Sequence, residues 1–188
     1  MALAGSLALL SGLLSGCIFS PDKGDGKKKP PPPIVYDLTR PQNVLGALEL
    51  AYANRDSSGY RQLFELDYRG STYDTSLEDG FQPGTFGRID EERHIRALAE
   101  NPNITSVTLD LGLPSQWEAR RTTTIGDTGE EWALITVANP QTDITDGLTI
   151  YRFVAGQTFE FRFRPTVVGP ELSRTDTLWH IVRWDEAP

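Results

Sequence analysis

The spacing of apolar residues changes once along this chain, and that change restricts the fold more than any other feature. Before Asn101 apolar positions recur every three or four residues, as on one face of a helix; after it they recur every second residue, as on one face of a strand. The clearest alternation is Thr158 to Arg164. Phe159, Phe161 and Phe163 point one way there, and Glu160, Arg162 and Arg164 the other. Helices followed by a run of strands make an α+β domain, predicted here as three helices on one face of a curved antiparallel sheet of four to six strands.

The helical half divides into three segments. Thr39-x-x-Gln42 has the form of a capping box and Pro41 suits a first helical turn, after which Val44, Leu45, Leu48, Ala51 and Tyr52 define one apolar face. Asn54-Arg55-Asp56 interrupts this run. Asp56 or Ser57 then caps a second helix carrying Tyr60, Leu63 and Phe64 and extending toward Asp67-Tyr68. Asp90-Glu91-Glu92 places acids where a helix N-terminus favours them; Ile95, Leu98 and Ala99 give a third helix its buried stripe, and Asn101-Pro102 ends it. Between the second and third helices, Arg69 to Arg88 reads as a long Gly-containing loop, of the length often used for lids or binding edges.

Strands are expected at Thr105–Leu111, Trp132–Ala138, Leu148–Val154, Thr158–Arg164 and Leu178–Trp184, with another within Trp117–Ile125. Ala155-Gly156-Gln157 reads as a tight connection. Asp143-Ile144-Thr145-Asp146-Gly147 reads as a polar turn; it lacks the spaced oxygen ligands and terminal Glu of a calcium loop.

The first 33 residues have a different character. Residues 1–16 carry no charged side chain and are rich in Leu, Ala and Gly, but the run is shorter than the roughly 20 apolar residues of a membrane-spanning helix. It reads as a signal peptide. Leu13-Leu14-Ser15-Gly16-Cys17 resembles the bacterial lipobox, although the usual Lys or Arg near the N-terminus is missing. The resemblance implies cleavage before Cys17, a diacylglycerol thioether and an acyl chain such as palmitate on the new N-terminus, and hence a lipid-anchored place in a bacterial cell envelope. Ile18, rather than Asp, after the cysteine implies sorting to the outer membrane where the host has two. Two or more lipid chains are enough for stable anchoring. Residues 17–33 would then be a Gly-, Lys- and Pro-rich tether, and residues 34–188 the globular domain.

In the globular domain, Ala47 to Asp56 followed by Tyr60 to Phe64 resembles the opening helix pair of the NTF2-like (cystatin-like cone) superfamily. The closing run Leu178-Trp179-His180-Ile181-Val182-Arg183-Trp184 is similar to the last strand of lipoproteins with that fold. The resemblance covers roughly residues 40–186 and lies in pattern and order rather than in a signature motif. It implies a cone between sheet and helices, which in enzymes of this superfamily holds an acid, a base and an oxyanion donor. It also allows a homodimer through the convex sheet face.

Charge narrows the partners. All four lysines precede residue 30, so 14 arginines face 24 Asp and Glu in the remainder, and the whole chain has a net charge of -8. Such a surface repels nucleic-acid phosphate. No cofactor motif is present, and the two histidines and single cysteine do not make a metal-ligand cluster. The candidate pocket residues are His180, Trp184, Tyr151, Arg152, Asp110 and Arg183, chosen by chemistry and by the parity of their strands; no spacing shows that any two converge. Strict alternation places His180 with Leu178, Val182 and Trp184, where a histidine satisfied by a neighbouring strand is the plainer account. His94, among Glu91, Glu92, Arg93 and Arg96, reads as a solvent-facing residue, and no catalytic residue is assigned. The expected role is a membrane-anchored lipoprotein that binds a partner protein or small ligand without catalysis. The rivals are a cone enzyme of the isomerase, dehydratase or hydrolase kind, and a structural envelope component with a filled cone.

Overall fold

The computed structural model describes residues 34–73, 83–123, 131–154, 158–167 and 177–187. The expected signal peptide, Cys17 and tether lie outside the described residues, as do the Ala155–Gln157 connection and positions 74–82 of the expected loop. No helix among the described residues is long and apolar enough to cross a membrane.

Helix α1 (Pro41–Ala53) begins at the proline, as expected, but the capping box does not form. Asp37 takes both the backbone N–H and the hydroxyl of Thr39, at 2.9 and 2.7 Å, so Arg40 becomes the N-cap without a side-chain bond. The apolar stripe is buried as read: Val44, Leu45, Leu48, Ala51 and Tyr52 all face the core. Helix α2 (Ser57–Gln62) starts on Asp56, whose carboxylate accepts from the Gly59 N–H at 2.9 Å and from the Tyr36 hydroxyl at 2.9 Å.

The apolar spacing predicts that this second helix continues toward Tyr68. Instead the chain turns into strand β1 (Phe64–Tyr73). Strand β1 runs parallel to the last strand, β9 (Thr177–Ala187), with Phe64 opposite Ile181 and Arg69 opposite Arg183. The β1 segment between these two pairs is therefore longer than its counterpart on β9. Phe64 and Tyr68 are both buried, and a separation of four puts two side chains on one face of a strand as well as of a helix; the irregularity shows instead at Leu66, which is exposed between them.

The expected loop is partly a hairpin arm: β2 (Pro83–Gly87) pairs antiparallel with β1. Helix α3 (Arg88–Glu100) follows at once, its N-terminus held by the Gly87 N–H donating to Asp90 at 2.9 Å. Its buried stripe is Glu91, Ile95 and Leu98, whereas Ala99, expected in that stripe, is exposed.

The remaining strands are β3 (Ile104–Asp110), β4 (Arg120–Thr123), β5 (Glu131–Ala138), β6 (Gln141–Asp146), β7 (Thr149–Val154) and β8 (Thr158–Val167). They form two sheets, not one of four to six strands. Six strands run β2-β1-β9-β8-β5-β4, antiparallel except for β1–β9, and three run β3-β6-β7. Asp143 to Asp146, expected as a turn, is most of β6. Its apparent polarity is explained by pairing: Arg152 of β7 bonds both Asp143 oxygens, at 2.9 and 2.8 Å. Gly147 then makes the turn into β7 at φ +59, a conformation that favours glycine.

The core lies between the helices and the inner faces of the sheets. Phe159, Phe161 and Phe163 are buried there as the alternation implies, against Ala133, Ile135 and Val137 of β5. Their alternates form a charged outer face, in which Arg162 pairs with Glu160 and Asp185, and Arg164 with Glu65 and Asp67.

Candidate functional site

Strand β9 decides which of its side chains enter the cone. Ile181 is opposite Phe163, but Arg183 is opposite Arg162, so Val182 is an extra residue with no counterpart on β8. One extra residue reverses the parity of every later position on the strand. Ile181 and Trp184 consequently share the inner face, with Glu186 after them, while His180 and Arg183 share the outer face with Arg164 and Arg162. Strict alternation would have kept His180 and Trp184 together. The bulge separates them.

Of the six candidate pocket residues, Trp184 alone lines the aromatic-walled cleft between sheet and helices. His180 packs on the outer face with Nδ1 3.8 Å from Glu65; that nitrogen is buried without a hydrogen-bond partner among the described residues, and burial lowers the ring's affinity for a proton despite the nearby Glu65. Arg183 lies over the Trp132 ring, 5.8 Å from its centroid, and donates to the Asp67 carbonyl at 3.2 Å. Tyr151 and Arg152 are exposed on β7. Asp110 is exposed at the end of β3, where its carboxylate accepts from the Gly112 N–H at 2.8 Å. The structure does not bring these five to one place.

This aromatic-walled cleft has a volume of about 370 Å³. Tyr52, Tyr60, Phe86, Phe159 and Trp184 supply aromatic wall, and Leu109 and Thr142 come from the smaller sheet. Glu91, His94 and Glu186 bring ionisable groups to it, with Asp90 and Thr72 beside them. This mixture of apolar wall and a few convergent polar groups is typical of small-molecule pockets.

Glu91 is the one buried charged residue in the described core, with 6% of its surface exposed. Its position follows from the helix itself: counting back from Leu98 and Ile95 at helical spacing lands on Glu91, so α3 carries a carboxylate on its core-facing stripe. Two tyrosine hydroxyls reach it, Tyr68 donating to Oε1 at 2.8 Å and Tyr60 to Oε2 at 3.0 Å. Among the described residues it has no cationic partner. Burial pushes its carboxyl up to about 7; the two hydroxyls oppose the rise, and the neighbouring carboxylates Glu186 and Asp90 add to it. Tyr60 and Tyr68 are pushed well above the usual phenol range, first by burial and then by Glu91, so both remain donors.

His94, one turn beyond Glu91, is exposed on one flank while its ring packs on Tyr52 with centroids 5.9 Å apart. Its Nε2 is 3.0 Å from the Tyr52 hydroxyl. Desolvation lowers His94's proton affinity, and the direction of its bond with Tyr52 is set by the imidazole tautomer. Glu186 is bonded by the Thr72 hydroxyl and raised by burial. The Trp184 indole N–H is buried without a partner among the described residues. Among those residues, too, no group of three or more His, Cys, Asp and Glu is placed to hold a metal ion.

No protein-family model matches the chain, and no curated protein matches it. Solved structures do resemble it. One is an NTF2-like protein of unknown function in nutrient uptake from Rhodospirillum rubrum, at 15% identity and TM-score 0.47, covering 77% of this chain and 93% of that one. Another is an NTF2-like protein with a cystatin-like fold from Novosphingobium aromaticivorans, at 18% identity and TM-score 0.44, covering 78% and 77%. Likeness at this level carries no residue's role and no activity to this chain.

Proposed function

We propose that residues 34–188 form an NTF2-like domain whose cone binds a small molecule, displayed on a cell envelope by lipid on Cys17. The observation that carries the binding reading is the open cleft of about 370 Å³, walled by aromatic rings and containing a buried carboxylate with no countercharge among the described residues. Support for the anchor comes from the sequence, the uncharged run ending in Leu13-Leu14-Ser15-Gly16-Cys17. A second reading, proton-transfer catalysis in the same cleft, is favoured by one observation: Glu91 is held near 7, where a carboxyl both gives and accepts protons at neutral pH.

The binding reading is tested by thermal-shift screening of the full chain against small cationic, neutral and anionic compounds, beside the variant Thr142→Arg. Thr142 lines the cleft from β6, opposite Leu109, and an arginine there occupies the space. The expected result is at least one compound that stabilises the wild type and not the variant. Stabilisation by no compound, or equally of both proteins, refutes the reading. For the anchor, the wild type is expected to incorporate labelled palmitate and sediment with membranes; Cys17→Ser is expected to do neither.

A further inference from the structure

The cleft has a pronounced charge asymmetry. Glu91, Glu186 and Asp90 line it, and no Lys or Arg does so among the described residues. Asp90 is already engaged at the rim, by the Gly87 N–H and by Arg93 at 3.1 Å. Among the described residues the other two carboxylates have hydroxyl donors only, Tyr60 and Tyr68 on Glu91 and Thr72 on Glu186. A carboxylate buried without a cation is a costly arrangement, relieved when a positive group enters beside it.

The walls point the same way. Aromatic faces attract an ammonium or its attached carbons electrostatically, most strongly when desolvated. Phe159 and Trp184 meet edge to face with centroids 5.4 Å apart, and Phe86 lines the same space from β2. The acidity of the whole chain adds a long-range field that draws cations and repels anions.

Resting on the small-molecule reading of the cone, we propose that the cleft selects a small organic cation, an arylalkyl amine, with its ammonium at Glu91 and Glu186 and its ring against Phe86, Phe159 and Trp184. Positive charge supplies what the cleft's buried and half-buried carboxylates lack, and the hydrocarbon part fills the apolar wall. The groups facing Glu91 from the packed elements are Tyr60 of α2, Tyr68 of β1, Glu186 of β9 and Asp90 on its own helix, and no cation stands among them. Tyr52 of α1 and His94 form the adjoining pair.

The test is isothermal titration of the full chain with 2-phenylethylamine, its neutral counterpart 2-phenylethanol and the anion 3-phenylpropionate. At pH 8 the amine is expected to bind at least tenfold more tightly than the alcohol, and the anion not measurably. Glu91→Gln should lose at least tenfold in amine affinity while leaving the alcohol unchanged, and Glu186→Gln should give a smaller loss in the same direction. Circular dichroism and retained alcohol binding show that each variant is folded. At pH 6, titrations in two buffers of different ionisation enthalpy should show proton release as the amine binds wild type, and clearly less with Glu91→Gln. Equal or tighter binding of the alcohol or the anion overturns the choice of a cation and leaves the small-molecule reading standing. Absence of binding by all three probes overturns this proposal, and the broader reading then stands or falls on the compound screen with Thr142→Arg.

Discussion

Glu91→Gln should stabilise the protein above neutral pH, and the size of the effect follows from the burial of that carboxyl. An ordinary glutamate titrates at 4.5, whereas Glu91 in the folded protein is pushed up to about 7. Between those two values the native state holds a proton that the unfolded chain has already released. Stability therefore falls as pH rises from 4.5 to 7, and the contribution is level above that window. The gap corresponds to about 3 kcal/mol, the cost of ionising Glu91 inside the fold rather than in water. Glutamine cannot ionise, but it keeps the shape and the bonding pattern of the protonated acid: its carbonyl accepts from one tyrosine hydroxyl, and its amide N–H donates to the other. Near pH 4.5 the variant and wild type should be equally stable, and near pH 8 the variant should be ahead by up to about 3 kcal/mol. The assay is urea unfolding at intervals from about pH 4.5 to 8.5, comparing midpoints at constant slope. Three other groups add pH-dependent contributions of their own sign. Glu186 is raised by burial and acts in the same sense; His94 and His180 are lowered by burial, so their contributions are lost as pH falls. These contributions are common to both proteins, and subtraction removes them to first order. A difference between variant and wild type that stays flat across the window would show that Glu91 titrates alike in the folded and unfolded states, and would refute the reasoning.

Two further changes test the framework around the cleft. A methyl group on Gly70 would lie 2.3 Å from the Phe86 ring and 2.5 Å from the Tyr68 hydroxyl, so Gly70→Ala should cost about 1–3 kcal/mol in urea unfolding and displace one of Glu91's two donors. Deleting Val182 removes the bulge but leaves Ile181 opposite Phe163 and Arg183 opposite Arg162, so Trp184 and Glu186 stay inward; the expected result is a cooperative unfolding transition and a native-like near-ultraviolet spectrum, and loss of both would refute the parity argument.

Much of the architecture is legible in the sequence because it depends on local periodicity. The stripe of α1, the Asp56 cap of α2 and the alternating phenylalanines of β8 each need only a few neighbouring residues to be recognised, and each occupies the place its pattern implies. The errors arise where pairing between distant segments sets the geometry. Phe64 and Tyr68 read as helical because Leu66 between them is turned out where β1 is irregular against β9, and Asp143 looks like a turn residue because its partner Arg152 is on the next strand. Likewise, the sequence does not reveal that β1 and β9, at opposite ends of the domain, run parallel.

The candidate site is obscured in the sequence for a related reason. Strict alternation puts His180 on the face of Trp184, whereas the Val182 bulge leaves His180 on the outer face with Arg183 and Trp184 on the inner one. The more informative signal is a violation of the apolar pattern. Glu91 sits three and four residues from His94 and Ile95, in register with Leu98, so a helix that buries Ile95 and Leu98 must bring Glu91 to the same side. As an acid at a helix start it has an ordinary explanation in the favourable field of the helix N-terminus, and that explanation hides the other. Desolvating a carboxylate costs more than such a field ordinarily returns, since the field contributes about 0.3–1 kcal/mol at exposed positions and burial here costs about 3. Helix capping therefore does not account for Glu91's place in the core. Tyr60 and Tyr68, fully buried phenols from two other elements aimed at one carboxylate, indicate that the fold is organised to hold that acid beside the cleft.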